Sequence, residues 1–170
     1  MKTNKNITLN VLSVNNVTSE IFVNKQRVSN NFVLTETGDY SIELESIDNA
    51  ENIEQDNYEV IIDKIAPTIE GVEKGSVYYE SVTPIVKDND IKSSKLYLSG
   101  NLVTGYKLNS TIEQVGRYDL EIIDNAGNVT RTNFEIKEPT ITDLKKYTIK
   151  EDKFISGIEQ GIELKVFSQN

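Results

Sequence analysis

The chain contains one sequence pattern twice, and this repetition restricts its fold more than any other feature. The clearer copy is GRYDLEIIDNAGN at residues 116–128, and the imperfect copy is GDYSIELESIDNAEN at residues 38–52. Their first glycines lie 78 residues apart, which is the length of a small domain. We therefore predict one domain at residues 1–64 and a second at residues 65–137.

Both copies alternate apolar and polar residues with a period of two, which is typical of β-strands with one buried face. No segment carries a sustained helical stripe, and clusters of Asn, Asp, Gly and Ser recur about every 8–12 residues, as in sandwiches of short antiparallel strands. The sequence predicts an all-β protein of two tandem Greek-key sandwiches arranged end to end. A partial small module is expected at residues 138–170.

Individual strands can be placed in the second unit. Residues 67–69 should open it, residues 77–87 should form one strand with Pro84 at an edge or bulge, and residues 105–108 a short strand. The first unit lacks a counterpart of the opening strand, so we expect residue 1 to fall inside or just before a first strand. In the tail, the pattern favours strands at residues 147–149 and 153–155. Residues 161–168 fit a strand by alternation and a short helix by spacing, and of the two we favour the helix.

Composition excludes several function classes. The chain has no cysteine and no histidine, which removes disulfides, thiolate and imidazole metal sites, and Ser-His-Asp or Cys-His catalysis. A net charge of -9, spread along the chain, disfavours nucleic acid and anionic membranes as partners. We predict no catalytic residue, no cofactor, no metal site and no membrane insertion, and therefore no enzyme.

The glycine and tyrosine that begin each copy predict a tyrosine corner, in which a phenol bonds back to the backbone and holds a Greek-key crossover in place. Gly38 and Tyr40, like Gly116 and Tyr118, are therefore predicted to be structural. Stacking of these tyrosines on a sugar is the weaker alternative, because an inward-facing aromatic residue is more often part of a core.

The end of each copy predicts a hairpin turn. The side chains of Asp48 and Asp124 can accept hydrogen bonds from backbone N–H groups further along the turn. Gly127 can adopt the positive φ that closes the turn. A calcium loop at Asp124 is the alternative, but one carboxylate is few for an ion that takes six to eight oxygens. If both turns share a backbone, Glu51 has a positive φ, and the two extra residues in this copy require a bulge or a longer hairpin.

The joints between units are short and contain proline. Residues 62–67 connect the two copies, and Pro-Thr-Ile recurs at residues 139–141. Such joints predict a semi-rigid rod rather than a flexible chain of beads. We expect a monomer whose partners are other domains of the same parent protein.

Two sets of residues could contact a ligand. An exposed aromatic cluster would suit a glycan or a protein, and its candidates are Tyr78, Tyr79, Tyr97 and Tyr106. Asp88 and Asp90 have a spacing that metal sites use, although acidic loops between strands are usually only solvated.

With these motifs and the joint IDKIAPTI at residues 62–69, the chain resembles the bacterial immunoglobulin-like repeats of Firmicutes surface and secreted proteins, of clostridial type. Residues 65–137 match well and residues 1–64 more loosely. The resemblance implies an extracellular or cell-surface location, although no signal-peptide core follows Met1. It implies a non-catalytic spacer and interaction module. The alternative is a module that binds carbohydrate or host protein beside an extracellular carbohydrate-active enzyme.

Overall fold

A computed structural model describes residues 1–11 and 17–139, and this part of the chain consists of fourteen β-strands with no helix. The all-β prediction is confirmed. The predicted strands at residues 147–149 and 153–155 and the predicted helix at residues 161–168 lie outside the described residues.

The first repeat, residues 1–64, contains seven strands. They are β1 Lys2–Thr3, β2 Ile7–Leu9, β3 Thr18–Val23, β4 Gln26–Val28, β5 Phe32–Leu34, β6 Gly38–Ile47 and β7 Ile53–Ile62. One sheet has the order β1-β7-β6-β3-β4, and β2 pairs with β5 in the other. The chain leaves the first sheet at β5 and returns at β6, which lies between β3 and β7, and this crossing makes a Greek key.

The second repeat, residues 65–137, contains the other seven. They are β8 Thr68–Glu70, β9 Ser76–Tyr78, β10 Ile85–Lys87, β11 Ile91–Leu98, β12 Asn101–Leu102, β13 Gly116–Asp124 and β14 Val129–Ile136. One sheet has the order β12-β11-β13-β14-β9, and β8 pairs with β10 in the other. In both repeats a short early strand runs parallel to the end of the last strand, β1 with β7 and β9 with β14. Both repeats are therefore immunoglobulin-like sandwiches.

Two predicted strands of the second repeat are wrong. Residues 77–87 form no single strand, because the chain crosses between the sheets there and forms β9 and β10, with Pro84 fully buried between them. Residues 105–108 form no strand either. Tyr106 and Leu108 instead pack against the core, and the short strand of this region is β12.

Each repeat has its own apolar cluster, and the clusters differ in size. Among the described residues, ten buried side chains form the second cluster and six form the first. Phe134 fills the second cluster, and its ring centroid lies 5.2 Å from that of Tyr118 and 6.3 Å from that of Tyr78. Val60 occupies the matching position in β7, so the first repeat has a smaller side chain where the second has an aromatic ring.

The two extra residues in the first copy lengthen its hairpin and create no bulge. Strands β6 and β7 pair without a register shift from Gly38 opposite Ile62 to Ile47 opposite Ile53. Each of these strands has ten residues, against nine in β13 and eight in β14. The turn of the first repeat therefore projects about 7 Å further, since a strand rises about 3.4 Å per residue.

Candidate functional site

The turn between β13 and β14 is closed by the carboxylate of Asp124. Its Oδ1 accepts from the backbone N–H groups of Gly127 at 2.7 Å and Asn128 at 2.8 Å, and its Oδ2 accepts from Asn128 Nδ2 at 2.7 Å. The residue is fully buried. Because both oxygens already accept hydrogen bonds from the turn itself, the carboxylate acts as the acceptor that shapes this hairpin.

The turn between β6 and β7 has the same design. Asp48 Oδ1 accepts from the backbone N–H groups of Ala50 at 2.8 Å and Asn52 at 3.0 Å, and Oδ2 accepts from Asn52 Nδ2 at 2.8 Å. Hydrogen bonds from the Asn52 side chain, then from the Asn52 and Ala50 backbones, lower the pKa of Asp48 below its usual range. Glu51 has φ 63° where Gly127 has φ 95°, so the predicted positive φ at Glu51 is confirmed.

The tyrosine of each copy bonds back to the chain four residues earlier. Tyr40 Oη donates to the carbonyl of Glu36 at 2.9 Å, and Tyr118 Oη donates to the carbonyl of Gln114 at 2.6 Å. Tyr118 is buried and Tyr40 half-buried. Burial raises the pKa of Tyr118 above its ordinary value. Both phenols therefore hold the entry of the central hairpin strand, which is the geometry of a tyrosine corner.

The turn of the second repeat also contacts the end of the first repeat. Asn128 Nδ2 lies 2.9 Å from the carbonyl oxygen of Asp63 and 3.2 Å from that of Ile65. The backbone N–H of Asn4 donates to the carbonyl of Ala126 at 3.0 Å. Since these bonds involve the backbone of the connecting segment, they constrain the path of the chain between the repeats.

An ion pair adds a second set of contacts across the same joint. Lys2 Nζ lies 3.1 Å from Asp63 Oδ2 and also bonds Asp90 Oδ2. The hydrogen bond with Asp90, followed by that with Asp63, raises the pKa of Lys2 above its usual range. The same lysine, followed by Asn125, lowers the pKa of Asp90. Asn125 Nδ2 donates to Asp90 Oδ1 at 2.5 Å, which ties the ion pair to the β13–β14 turn.

We call this set of contacts the inter-repeat joint. Its members come from both repeats and are Lys2, Asn4, Asp63, Ile65, Asp90, Asn125, Ala126 and Asn128. The sequence marks the connecting segment, the turn and the Asp88–Asp90 loop separately. No local pattern predicts that Lys2 meets Asp90, which lies 88 residues away.

The four candidate tyrosines of the second repeat differ in their surroundings. Tyr78 and Tyr106 pack against its core. Tyr78 Oη accepts from the backbone N–H of Glu73 at 2.7 Å. The hydroxyl of Tyr106 is buried without a hydrogen-bond partner among the described residues, and burial raises its pKa. Tyr79 is half-buried.

Tyr97 lies on the outer face of the sheet. It pairs with Asp119, which pairs in turn with Asn133, and this row lines an open groove of about 350 Å³ with Lys74 and Arg131. In the next row of the sheet, Glu121 lies between Lys95 and Arg131. Its carboxylate is 2.5 Å from Arg131 Nη2 and 3.9 Å from Lys95 Nζ. The groove offers hydrogen-bonding groups of both charges beside one aromatic ring.

The described residues also bear on metal binding and on membrane spanning. Within residues 1–11 and 17–139, no group of three or more Asp or Glu side chains could hold a metal ion. No helix long and apolar enough to cross a membrane occurs in that part of the chain.

Comparison with known proteins gives one close sequence match. A stretch of 77 residues is 43% identical to the outer cell wall protein of Brevibacillus brevis. The match covers 45% of this chain but only 8% of that protein. Its length is close to the spacing of the two repeats. No family model matches the chain.

Solved structures resemble the chain loosely. The fibronectin(III)-like modules of Clostridium thermocellum CbhA are 16% identical with a TM-score of 0.44, over 81% of this chain and 87% of theirs. The titin fragment I67–I69 is 12% identical with a TM-score of 0.45, over 81% and 61%. The Bacteroides ovatus protein SGBP-B, in complex with a mixed-linkage heptasaccharide, is 16% identical with a TM-score of 0.30, over 79% and 40%.

Proposed function

We propose that the chain is a non-catalytic module that spaces and presents other domains of a bacterial cell-surface or secreted protein, in a Gram-positive organism. The observation that carries this proposal is the inter-repeat joint, in which side chains of both repeats fix the connecting segment. A spacer needs a defined separation between its ends, and a joint with specific contacts supplies one. The match to an outer cell wall protein supports the location.

The proposal includes two structural statements. Residues 1–64 and 65–137 are separate domains, with residues 138–170 beginning a third. Seven motif residues serve the fold and bind no ligand, and they are Gly38, Tyr40, Asp48, Gly116, Tyr118, Asp124 and Gly127. Expression of residues 65–137 alone tests the first statement, because a fragment that shows no cooperative unfolding contradicts the division.

The joint can be tested by measuring the distance between the repeats. The chain has no cysteine, so spin labels can be placed at exposed Asn57→Cys and Thr104→Cys without other changes. We expect one narrow distance distribution in the native chain, because the joint restricts rotation. A broad distribution in the native chain would contradict a semi-rigid spacer.

Matched variants separate the joint from the turn. Asn128→Ala removes the bonds to Asp63 and Ile65 as well as the bond within its own turn. Asn52→Ala removes only the corresponding bond within the first turn. We expect the distribution to broaden with Asn128→Ala and with Lys2→Met, and to stay unchanged with Asn52→Ala.

Binding of a glycan is the second candidate, and the groove beside Tyr97 favours it. Flat sugar faces stack on aromatic rings, and the flanking polar side chains could bond hydroxyl groups. A glycan array with the native chain and Tyr97→Ala tests this role, with Tyr58→Ala as the control for an exposed tyrosine elsewhere. Saturable binding that only Tyr97→Ala removes supports the role, and absence of binding removes it.

A further inference from the structure

The outer faces of the two five-stranded sheets follow the same pattern. Residues that pair across neighbouring strands point to the same face of a sheet. In the second repeat, the row of Tyr97, an aspartate and an asparagine lies on the outer face. In the first repeat, Glu43 pairs with Phe22 and with Asn57, and its neighbour Ile42 is buried, so this row also faces outward. Both faces therefore present one aromatic ring among polar side chains.

The outer face of the first repeat is acidic. Its central strands β3, β6 and β7 contain no lysine or arginine. Their outward carboxylates are Glu20, Asp39, Glu43, Glu45 and Glu59. Within residues 1–11 and 17–139, only Glu20 among these five forms an ion pair, at 2.8 Å from Arg27 of β4. Carboxylates are therefore in excess on this surface, which we call the acidic face.

The outer face of the second repeat has cations in excess, although the whole chain has a net charge of -9. Its cations are Lys74, Lys95, Arg117, Arg131 and Lys137, and its carboxylates are Asp119, Glu121 and Glu135. Glu121 forms ion pairs with two of these cations, and Glu135 forms ion pairs with two others. We call this surface the basic face.

The opposite charges occupy matching positions on the two faces. In the row next to the aromatic row, Glu45 lies between Glu20 and Gln55 on the acidic face. The corresponding row of the basic face has Glu121 between two cations. The two faces are therefore complementary row by row and not only in total charge.

Exposed apolar side chains border the charged rows on both faces. One row nearer the hairpin turn, Ile47 pairs with Ile53 on the acidic face, and Ile123 pairs with Val129 on the basic face. The exposed fraction is 61% for Ile53 and 39% for Val129. Burial of such side chains stabilises a contact that charges alone make weak. Each face thus has the mixed apolar and polar composition of a protein interface.

We propose that the acidic face of one copy of the chain binds the basic face of a second copy. Sheets pack face to face about 10 Å apart, so the charged rows of one copy then oppose those of the other. A face of five strands covers about 600 Å². The contact therefore buries about 1,200 Å² in total, at the lower end of specific interfaces, and we expect reversible association.

This assembly goes beyond the spacer role and departs from the monomer expected from the sequence. Since two different surfaces meet, the contact is heterologous. The groove beside Tyr97 lies in the basic face, so a second copy and a glycan compete for it.

Sedimentation of the native chain gives the first test. We expect association that rises with protein concentration and weakens several-fold between about 50 mM and about 500 mM salt, because salt screens exposed charges. A sedimentation coefficient that does not change with concentration at low salt contradicts the proposal.

Two charge-reversal variants test which faces meet. The acidic-face variant combines Glu43→Lys with Glu45→Lys. The basic-face variant combines Lys74→Glu with Lys95→Glu, which leaves the ion pair of Glu121 with Arg131 in place. We expect each variant alone to remain a folded monomer. An equal mixture of the two should associate again, because the unchanged basic face of one variant meets the unchanged acidic face of the other.

The mixture distinguishes this contact from a contact between like faces. If each variant loses association and the mixture does not recover it, the acidic face does not bind the basic face, and the proposal is overturned. Thermal unfolding of each variant establishes that it is folded, and the salt dependence of the native chain tests the proposal without any substitution.

Matched controls make the same changes of net charge outside the two large sheets. Glu80→Lys with Glu113→Lys corresponds to the acidic-face variant, and Lys87→Glu with Lys107→Glu corresponds to the basic-face variant. We expect both controls to associate as the native chain does. Equal loss of association in the controls would assign the effect to net charge and overturn a specific contact.

An acidic polymer is the other occupant that the basic face could take. Polyglutamate serves as the probe, added to the native chain and to the basic-face variant. Binding of polyglutamate by a native chain that stays monomeric would assign this face to an acidic polymer and overturn the second copy as its occupant. The distance between repeats is measured with labelled chain diluted in unlabelled chain, so the spacer role is judged separately.

Discussion

The two repeats build the same turn with the same residues except at Glu51 and Gly127, but the turns lie in different surroundings. Asp124 is fully buried and its neighbour Asn128 contacts the preceding repeat, whereas the Asp48 turn lies at the end of a longer hairpin with exposed residues. Local hydrogen bonds alone therefore specify the turn geometry. What the turn contributes to stability depends on the tertiary contacts around it.

The second repeat also has the larger apolar core. The second repeat has an aromatic ring at Phe134, Tyr106 and Leu108 packed against the core, and the closing strand β8. The first repeat has Val60 at the matching position, and its described core has six buried members against ten. We expect the second repeat to be the more stable of the two.

The largest expected effect concerns this difference in core size. Phe134→Ala should lower the free energy of unfolding of the second repeat by about 3–5 kcal/mol, because a ring that is 3% exposed leaves a cavity. Val60→Ala should lower that of the first repeat by about 2 kcal/mol. Urea unfolding followed by NMR signals of each repeat measures both. Equal losses would contradict the difference between the cores.

The buried carboxylate should give the next largest effect. Asp124→Ala leaves the N–H groups of Gly127 and Asn128 unpaired in a buried turn, and should cost the second repeat about 2–4 kcal/mol. Asp48→Ala should cost the first repeat less, because water can reach its exposed turn. The same unfolding experiment, with hydrogen exchange at the turn amides, compares them. A larger loss of stability from Asp48→Ala than from Asp124→Ala would contradict our view that burial makes the Asp124 carboxylate the more important of the two.

The two motif glycines should differ as well. Gly116 has φ 150°, and an added Cβ would lie 2.3 Å from Leu98 Cδ1, whereas the nearest atoms to a Cβ at Gly38 are 3.8 Å away on Tyr40. Gly116→Ala should therefore cost about 1–3 kcal/mol, and Gly38→Ala should stay within about 0.5 kcal/mol of the native protein. Melting temperatures of the two variants decide this, and similar values would mean that the two corners are equally crowded.

Glu51 gives a smaller effect of opposite sign. Glu51→Gly should stabilise the first repeat by about 0.5–1 kcal/mol, because a non-glycine residue at φ 63° is strained and glycine relieves it at some entropic cost. Gly127→Glu is the reciprocal variant and should destabilise the second repeat. A lowered melting temperature for Glu51→Gly would show that the side chain makes a contact that outweighs the strain.

Alkaline pH should give the smallest effect, in the second repeat. Burial raises the pKa of both Tyr106 and Tyr118, so their neutral forms are favoured in the folded state. Their contribution is therefore complete below the ordinary pKa of about 10 and is lost as pH rises through the folded values. Unfolding between neutral pH and about pH 11 measures the loss. Tyr106→Phe and Tyr118→Phe together should flatten the profile, and an unchanged profile would assign the loss to other groups.

Much of the fold follows from local patterns. The alternation predicts both central hairpins, the repeated Asp and Asn predict their turns, and the glycine at 127 predicts the positive φ that Glu51 shares. The interpretation of residues 77–87 as one strand fails because alternation does not show that a chain changes sheets at a buried proline. Residues 105–108 alternate polar and apolar side chains like a strand. They form no strand because Tyr106 and Leu108 pack against the core from a loop.

The sequence by itself determined the repeat, the all-β class and the shape of each turn, because these depend on backbone preferences and hydrogen bonds between residues close in the chain. Only the tertiary structure decided that Lys2 pairs with Asp63 and Asp90 and that Asn128 bonds the preceding repeat. These features depend on groups 60 to 90 residues apart, whose approach is set by the packing of whole sandwiches.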